Sequence, residues 1–282
     1  MTKTAEARLR ENIEEIEKSS RASRIAVAMF DLESGLDFEY RANEWFHAAS
    51  TIKIPILVGV FGAVDRGEFV LHSRLHVRNR FLSVVDRSPY RLRSSRDANS
   101  DVHEAIGKMM HIQELAHHMI ATSSNLATNL LVELVGIANL QATMRELGVA
   151  DGVELERGVE DDKAFDAGIN NRVTANGLMK LLRLIAEERA FSAHLSRRIL
   201  DILHSQEFNS GIPARLPEGT RVAHKTGEIS TVAHDAGVVY LVNRKPYVIV
   251  ILTEWEPYTG GRSETIARVS KAVHDLLQAE AS

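Results

Sequence analysis

Strand-like segments sit only at the two ends of this chain, and that restricts its fold more than any other feature. Near the start, "RIAVAMFDL" (24–32) reads as a strand, Ser34-Gly35 as a turn and "LDFEY" (36–40) as a returning strand. Near the end, "RVAHKTG" (221–227) is strand-like. "AGVVYLV" (236–242) and "YVIVILT" (247–253) form a hairpin around "NRKP" (243–246). Each end also carries an amphipathic helix. Ala5, Leu9, Ile13 and Ile16 recur at helical spacing in 5–17, as do Ile266, Val269, Val273, Leu276 and Leu277 in 266–277.

Between Ser50 and about Arg215 the pattern is helices and loops. Helical pieces fall at 115–120, 126–135, 174–189 and 192–204. The expected fold class is therefore α/β. A mixed, mainly antiparallel sheet of about five strands is flanked by the N- and C-terminal helices, and a mostly helical lobe is inserted between strands two and three. The expected boundaries are 1–49 with 212–282 for the α/β lobe and 50–211 for the helical lobe. A cleft where lobes meet is the usual place for a site.

Composition removes several alternatives. The net charge of −4 gives no reason to expect a nucleic-acid partner. There is no cysteine, so disulfides and thiolate metal sites are excluded. The longest apolar run, Ile54–Val64, is too short to span a bilayer. The N-terminal segment has charges throughout and no apolar core, which leads us to expect a cytoplasmic chain, or one whose leader has been removed. No glycine-rich phosphate-binding motif is present, so no nucleotide cofactor is expected. His72 and His76 have i, i+4 spacing but lack the Glu and third ligand of a zinc motif, so no metal is expected. His117 and His118 read as one surface and one core-edge residue. The adjacent pair His234-Asp235 points to opposite faces of a strand, which argues against a Ser-His-Asp triad; the pair is expected to shape a strand edge.

Three short motifs remain. In "HAASTIKIPILVGVF" (47–61), Ser50 and Lys53 precede an apolar helix. Positions i and i+3 share a helix face, so the amine can reach the hydroxyl. A serine hydroxyl needs a base to become a nucleophile, and a lysine serves only if its pKa is depressed. The positive end of the helix and an apolar wall both act in that direction. The second motif is Ser123-Ser124-Asn125 at a turn between helices. The third is Lys225-Thr226-Gly227 on a late strand. Chance supplies about 0.7 copies of Ser-x-x-Lys but only about 0.03 of Lys-Thr-Gly in this composition. The bland alternatives are N-cap serines for the first two and a strand end for the third.

The order and settings of the three motifs resemble those of class A β-lactamases and penicillin-binding proteins. "FHAASTIKIPIL" (46–57) matches their Phe-x-x-x-Ser-Thr-x-Lys form. "SSNLATNLL" (123–131) looks like their Ser-Asp-Asn helix, with Asn129 also in place. The resemblance covers residues 10–280 and implies roles for matching positions. Ser50 would be the acylated nucleophile, Lys53 its activator and Ser123 a proton relay. Asn125 would bind the substrate's amide side chain, and Lys225 with Thr226 its carboxylate. The backbone amides of Ser50 and of Glu228, just past Gly227, would form the oxyanion hole. Lys225 would also help to keep Lys53 neutral.

The loop expected to carry the deacylating carboxylate departs from the family. In "RGVEDDKAFDAGINNRVTA" (157–175) the first glutamate, Glu160, comes one position late, no Leu-Asn follows, and Asn171 stands where an aspartate would pair with Arg157. Glu160 is the preferred candidate over Asp161 and Asp162. Ser124 replaces the middle aspartate of Ser-Asp-Asn at a structural position. The segment 78–96 looks longer than in the family and holds six arginines, which suggests either a surface loop or a border to the cleft that selects an anionic substrate. The implied activity is hydrolysis of a β-lactam amide through an acyl-serine, with a small molecule as partner. The alternatives are a cytoplasmic esterase or amidase, and a penicillin-binding sensor that acylates without turnover.

Overall fold

In the computed structural model, which describes residues 3–281, the two chain ends meet in one sheet. The strands are β1 (Arg24–Asp31), β2 (Asp37–Tyr40), β3 (Arg221–Ile229), β4 (Val232–Tyr240) and β5 (Tyr247–Glu254). Their order across the sheet is β3-β4-β5-β1-β2. The expected five strands are present, and every pairing among them is antiparallel. Chain-end strands join through β1 and β5, in register from Arg24 opposite Glu254 to Asp31 opposite Tyr247.

Side chains alternate along β1 and divide the core in two. Ile25, Val27 and Met29 face the terminal helices α1 (Lys3–Ser20) and α8 (Arg262–Ala281), against Leu9, Ile13, Ile16, Ile266, Val269, Val273 and Leu277. Ala26, Ala28 and Phe30 face the other way, into a larger core shared with the intervening helices. Those helices are α2 (Lys53–Asp65), α3 (Ile112–Ala121), α4 (Asn125–Val135), α5 (Ile137–Glu146), α6 (Ala175–Ala186) and α7 (Ala193–Leu203). Helix α2 is buried on all sides from Lys53 to Ala63, as its unbroken apolar run requires.

Small differences from the sequence reading have local causes. Strand β4 starts at Val232, four residues earlier than expected, because His234 and Asp235 are buried strand residues. They lie on the second strand of the sheet, not at its edge. His72 lies in a turn and His76 in the short strand Arg74–His76, so the two do not share a helix face. His117 is exposed and His118 half-buried. No helix among the described residues is long and apolar enough to cross a membrane.

Candidate active site

Ser50 lies on a 3-10 turn, Ala49–Ile52, rather than within α2, and Lys53 opens the α-helix behind it. No side chain caps that turn, so Ser50 is not an N-cap. Its carbonyl accepts from the Lys53 N–H, and its side chain borders a cleft of about 390 Å3. Ser123, Asn125, Thr226, Gly227 and Glu228 border the same cleft. Three segments far apart in sequence therefore converge on one space.

The 123–125 turn divides its duties between two serines. Ser124 is the N-cap of α4, its hydroxyl accepting from Ala127 N at 3.2 Å. Ser123 has a left-handed φ of 59°. That conformation is costly for a residue with a Cβ and persists only where its surroundings hold it. Here the holder is Lys53. Its amine, fully buried, donates to the Ser123 carbonyl at 2.6 Å, to the Ser123 hydroxyl at 3.0 Å and to Asn125 Oδ1 at 2.8 Å. Those three bonds use all the donors of an ammonium. The expected direct bond from Lys53 to Ser50 is absent, because the neighbouring turn supplies all the acceptors.

Burial lowers the Lys53 pKa from 10.5 to about 7, while the charges of Asp97 and Glu160 act in the opposite direction. Lys225 is also fully buried, and its Nζ donates to Thr226 O at 2.9 Å. Its pKa is held well below the usual lysine value by burial first and by the Lys53 charge second; Asp235 opposes both. Burial is thus the main cause at both amines, and mutual repulsion of two buried ammonium groups acts in the same direction.

Gly227 explains how strand β3 approaches the serine. A Cβ there would lie 2.9 Å from Ser50 N and 2.8 Å from Thr51 N. The absent side chain leaves open the space in front of the Ser50 amide, where an oxyanion would need to sit. The Glu228 side chain is turned to Arg262 at 2.6 Å, leaving its backbone as the part relevant to the cleft. Behind the turn, His234 Nδ1 accepts from Thr253 N at 3.0 Å, so Nε2 carries the proton donated to the His47 carbonyl at 2.9 Å. Burial keeps this imidazole neutral, with a pKa lowered to about 4.

The three candidate carboxylates separate cleanly. Asp161 is buried and caps the short helix Asp162–Asp166 through Ala164 N at 3.2 Å. The Asp162 side chain is about 70% exposed. Glu160 lines an adjoining hollow that shares Ser50, Arg96 and Asn125 with the first, and its Oε1 accepts from Asn125 Nδ2 at 2.8 Å. The neck of this loop is closed without an ion pair. Asn171 Oδ1 accepts from the amides of Glu156 and Arg157, and Arg157 itself donates to Ile169 O, Gly158 O and Asn170 Oδ1.

A model of the beta-lactamase enzyme family matches residues 8–277. The chain belongs to that family. Among solved structures, it is similar to PBP-A, with 28% identity over 97% of each chain and a TM-score of 0.81. A mutant of PBP-A, solved as an acyl-enzyme complex with penicillin G, matches at 28% identity over 97% of each chain with a TM-score of 0.79. A mutant of the class A beta-lactamase of the last common ancestor of Gram-negative bacteria matches at 27% identity, covering 96% of this chain and 98% of that one, with a TM-score of 0.82.

One residue at this site escaped the sequence reading, and another was seen only within a group. The Asp97 carboxylate accepts from Ser124 Oγ at 2.8 Å and from the amides of Asn125 and Leu126 at 2.7 and 3.4 Å, anchoring the start of α4. Nothing near residue 97 signals this contact. Arg96 was visible only as one of six arginines; it is the one that borders the cleft among the described residues.

Proposed function

We propose that the protein is a serine hydrolase that opens the amide of a β-lactam through an acyl-Ser50 intermediate. The observation that carries this reading is the buried Lys53 amine, with its lowered pKa and its bond to the hydroxyl of Ser123, which borders the same cleft as Ser50. In this reading the neutral amine takes the Ser50 proton, directly or through the Ser123 hydroxyl, as Ser50 attacks the lactam carbonyl. The amides of Ser50 and Glu228 stabilise the oxyanion, and Gly227 keeps their approach clear. Ser123 returns the proton to the leaving nitrogen. Asn125 orients the substrate's amide side chain, and Lys225 with Thr226 receives its carboxylate. Glu160 then activates the water that releases the product.

A second reading has specific support. The similarity to PBP-A, whose mutant was solved as a penicillin G acyl-enzyme, favours a protein that acylates and releases slowly. Time-resolved intact mass with penicillin G separates the two. A transient adduct in the native protein that persists in Glu160→Gln supports hydrolysis, and a persistent adduct in both supports a binder. An adduct that still forms in Ser50→Ala would overturn the nucleophile assignment. Turnover of a simple nitrophenyl ester with no reaction of penicillin G would favour the esterase alternative.

A further inference from the structure

The segment 78–96 is a structured excursion. Asn79 closes its neck, donating to Leu92 O and accepting from Leu92 N, both at 2.8 Å. Within it, Phe81 and Leu82 pair with Tyr90 and Pro89 as a small hairpin. Arg78 ties the base to Glu133 of α4 at 2.6 Å. The hairpin then leans on the loop that carries Glu160. Val84 N donates to the buried Asp161 Oδ2 at 3.0 Å, and Asp86 pairs with Lys163 at 2.6 Å. Tyr90 OH accepts from Asn129 Nδ2 at 3.1 Å. The same Asn129 side chain brackets Val159, donating to its carbonyl at 2.9 Å and accepting from its amide at 2.8 Å. A Cβ on Gly158 would lie 2.9 Å from the Tyr90 oxygen, so the loop backbone presses directly on the hairpin. Past the hairpin, Arg96 Nη1 sits 3.7 Å from Glu160 Oε2 and 3.9 Å from Asp162 Oδ1, within reach of Coulomb attraction.

Glu160 itself has a left-handed φ of 56°. A non-glycine residue keeps that conformation only when its neighbours determine it. The bonds of Asn171 and Arg157 hold the neck of its loop, and the contacts of residues 158–163 with Asn129 and the hairpin hold its middle.

We propose that the 81–90 hairpin is a positioning brace for Glu160, holding the carboxylate against Asn125 and facing Ser50 by clamping residues 159–163 from the solvent side. The proposal rests on the reading of Glu160 as the deacylating base. Its residues do not touch substrate; they act through the loop.

The test uses Val84→Pro, which deletes the amide donated to Asp161, and Tyr90→Phe, which deletes only a hydroxyl, singly and together. Hydrogen exchange on the free protein reads the brace without any turnover. Amides of 157–167 should exchange at least about tenfold faster in the double variant, while those of β1 and β5 stay unchanged. With penicillin G, deacylation should slow by roughly ten- to a hundredfold, the scale on which an ångström of misplacement acts, while acylation stays within about twofold. Unchanged exchange at 157–167 in the double variant and in Tyr90→Phe overturns the brace, as does equal slowing of both chemical steps. Native deacylation in Glu160→Gln would instead overturn the assignment of the base, and the exchange data would still decide the brace.

Discussion

The buried amine of Lys53 is hydrogen-bonded to Ser123 and not to Ser50: Nζ lies 2.6 Å from the Ser123 carbonyl oxygen and 3.0 Å from its hydroxyl. Ser123 therefore links the amine to the cleft. Burial brings the Lys53 pKa to about 7, and the base is the neutral form, so acylation of Ser50 should rise as pH increases through about 7 and level off above it. Lys53→Arg keeps the charge at all these pH values and should remove the rise, with a rate loss of about 10²-fold or more. Stopped-flow acylation between pH 5 and 9 measures this. A flat native profile would mean that another group takes the proton.

Asp97 acts on the same amine from the start of α4. Its negative charge raises the Lys53 pKa against the effect of burial. Asp97→Asn keeps an oxygen for the Asn125 amide but removes the charge, so the acid limb of the acylation profile should move below pH 7. The lost charge at the helix N-terminus should cost about 0.3–1 kcal/mol of stability. A limb that stays in place would assign the midpoint to a different residue.

How much of this could be read in the sequence follows from the range of each contact. The β1 alternation of Ile25, Val27 and Met29 against Ala26, Ala28 and Phe30 is local, and it divides the two cores as its period requires. The three motifs are local too, which is why Ser50, Ser123 and Gly227 could be named before their convergence was visible. The anchoring of Ser124 by Asp97 joins residues 27 apart, and the bond from Val84 to Asp161 joins residues 77 apart. Both use polar groups that any solvated loop would also contain, so no periodicity marks them. The choice of Ser124 over Ser123 as helix cap depended on one backbone angle, which composition does not set.

Gly227 makes a sharper test of the oxyanion geometry. In Gly227→Ala the new Cβ meets two backbone nitrogens, Ser50 N and Thr51 N, and neither can swing aside as a flexible side chain would. The strand or the turn must shift, and the Ser50 amide loses its clear approach. Acylation should fall by roughly a hundredfold or more, the usual scale for losing one oxyanion donor. Thermal unfolding by circular dichroism should show a lower midpoint as well. Native acylation in this variant would place the oxyanion elsewhere.

Lys225 offers a joint test of stability and of its proposed role in substrate binding. Its side chain is wholly enclosed, and its amine donates to the carbonyl of its own neighbour, Thr226. Desolvation and the Lys53 charge hold its pKa well below 10.5 in the folded protein. An unfolded chain returns the group to its ordinary pKa, so between the two values the unfolded state binds the extra proton. Stability from this group is complete above about pH 10.5 and is lost as pH falls toward the folded value. Lys225→Met fills a similar volume without a buried amine. It should raise stability near pH 7 by about 1 kcal/mol or more, or about 2–4 °C in a domain of this size, and flatten the stability profile on the alkaline side. The same variant removes the amine expected to receive the substrate carboxylate, so acylation by penicillin G should weaken chiefly through poorer binding. Thermal melts from pH 6 to 10.5, paired with acylation kinetics over a range of penicillin G concentrations, read both effects. A less stable variant with unimpaired acylation would show that the amine serves the fold and not the substrate.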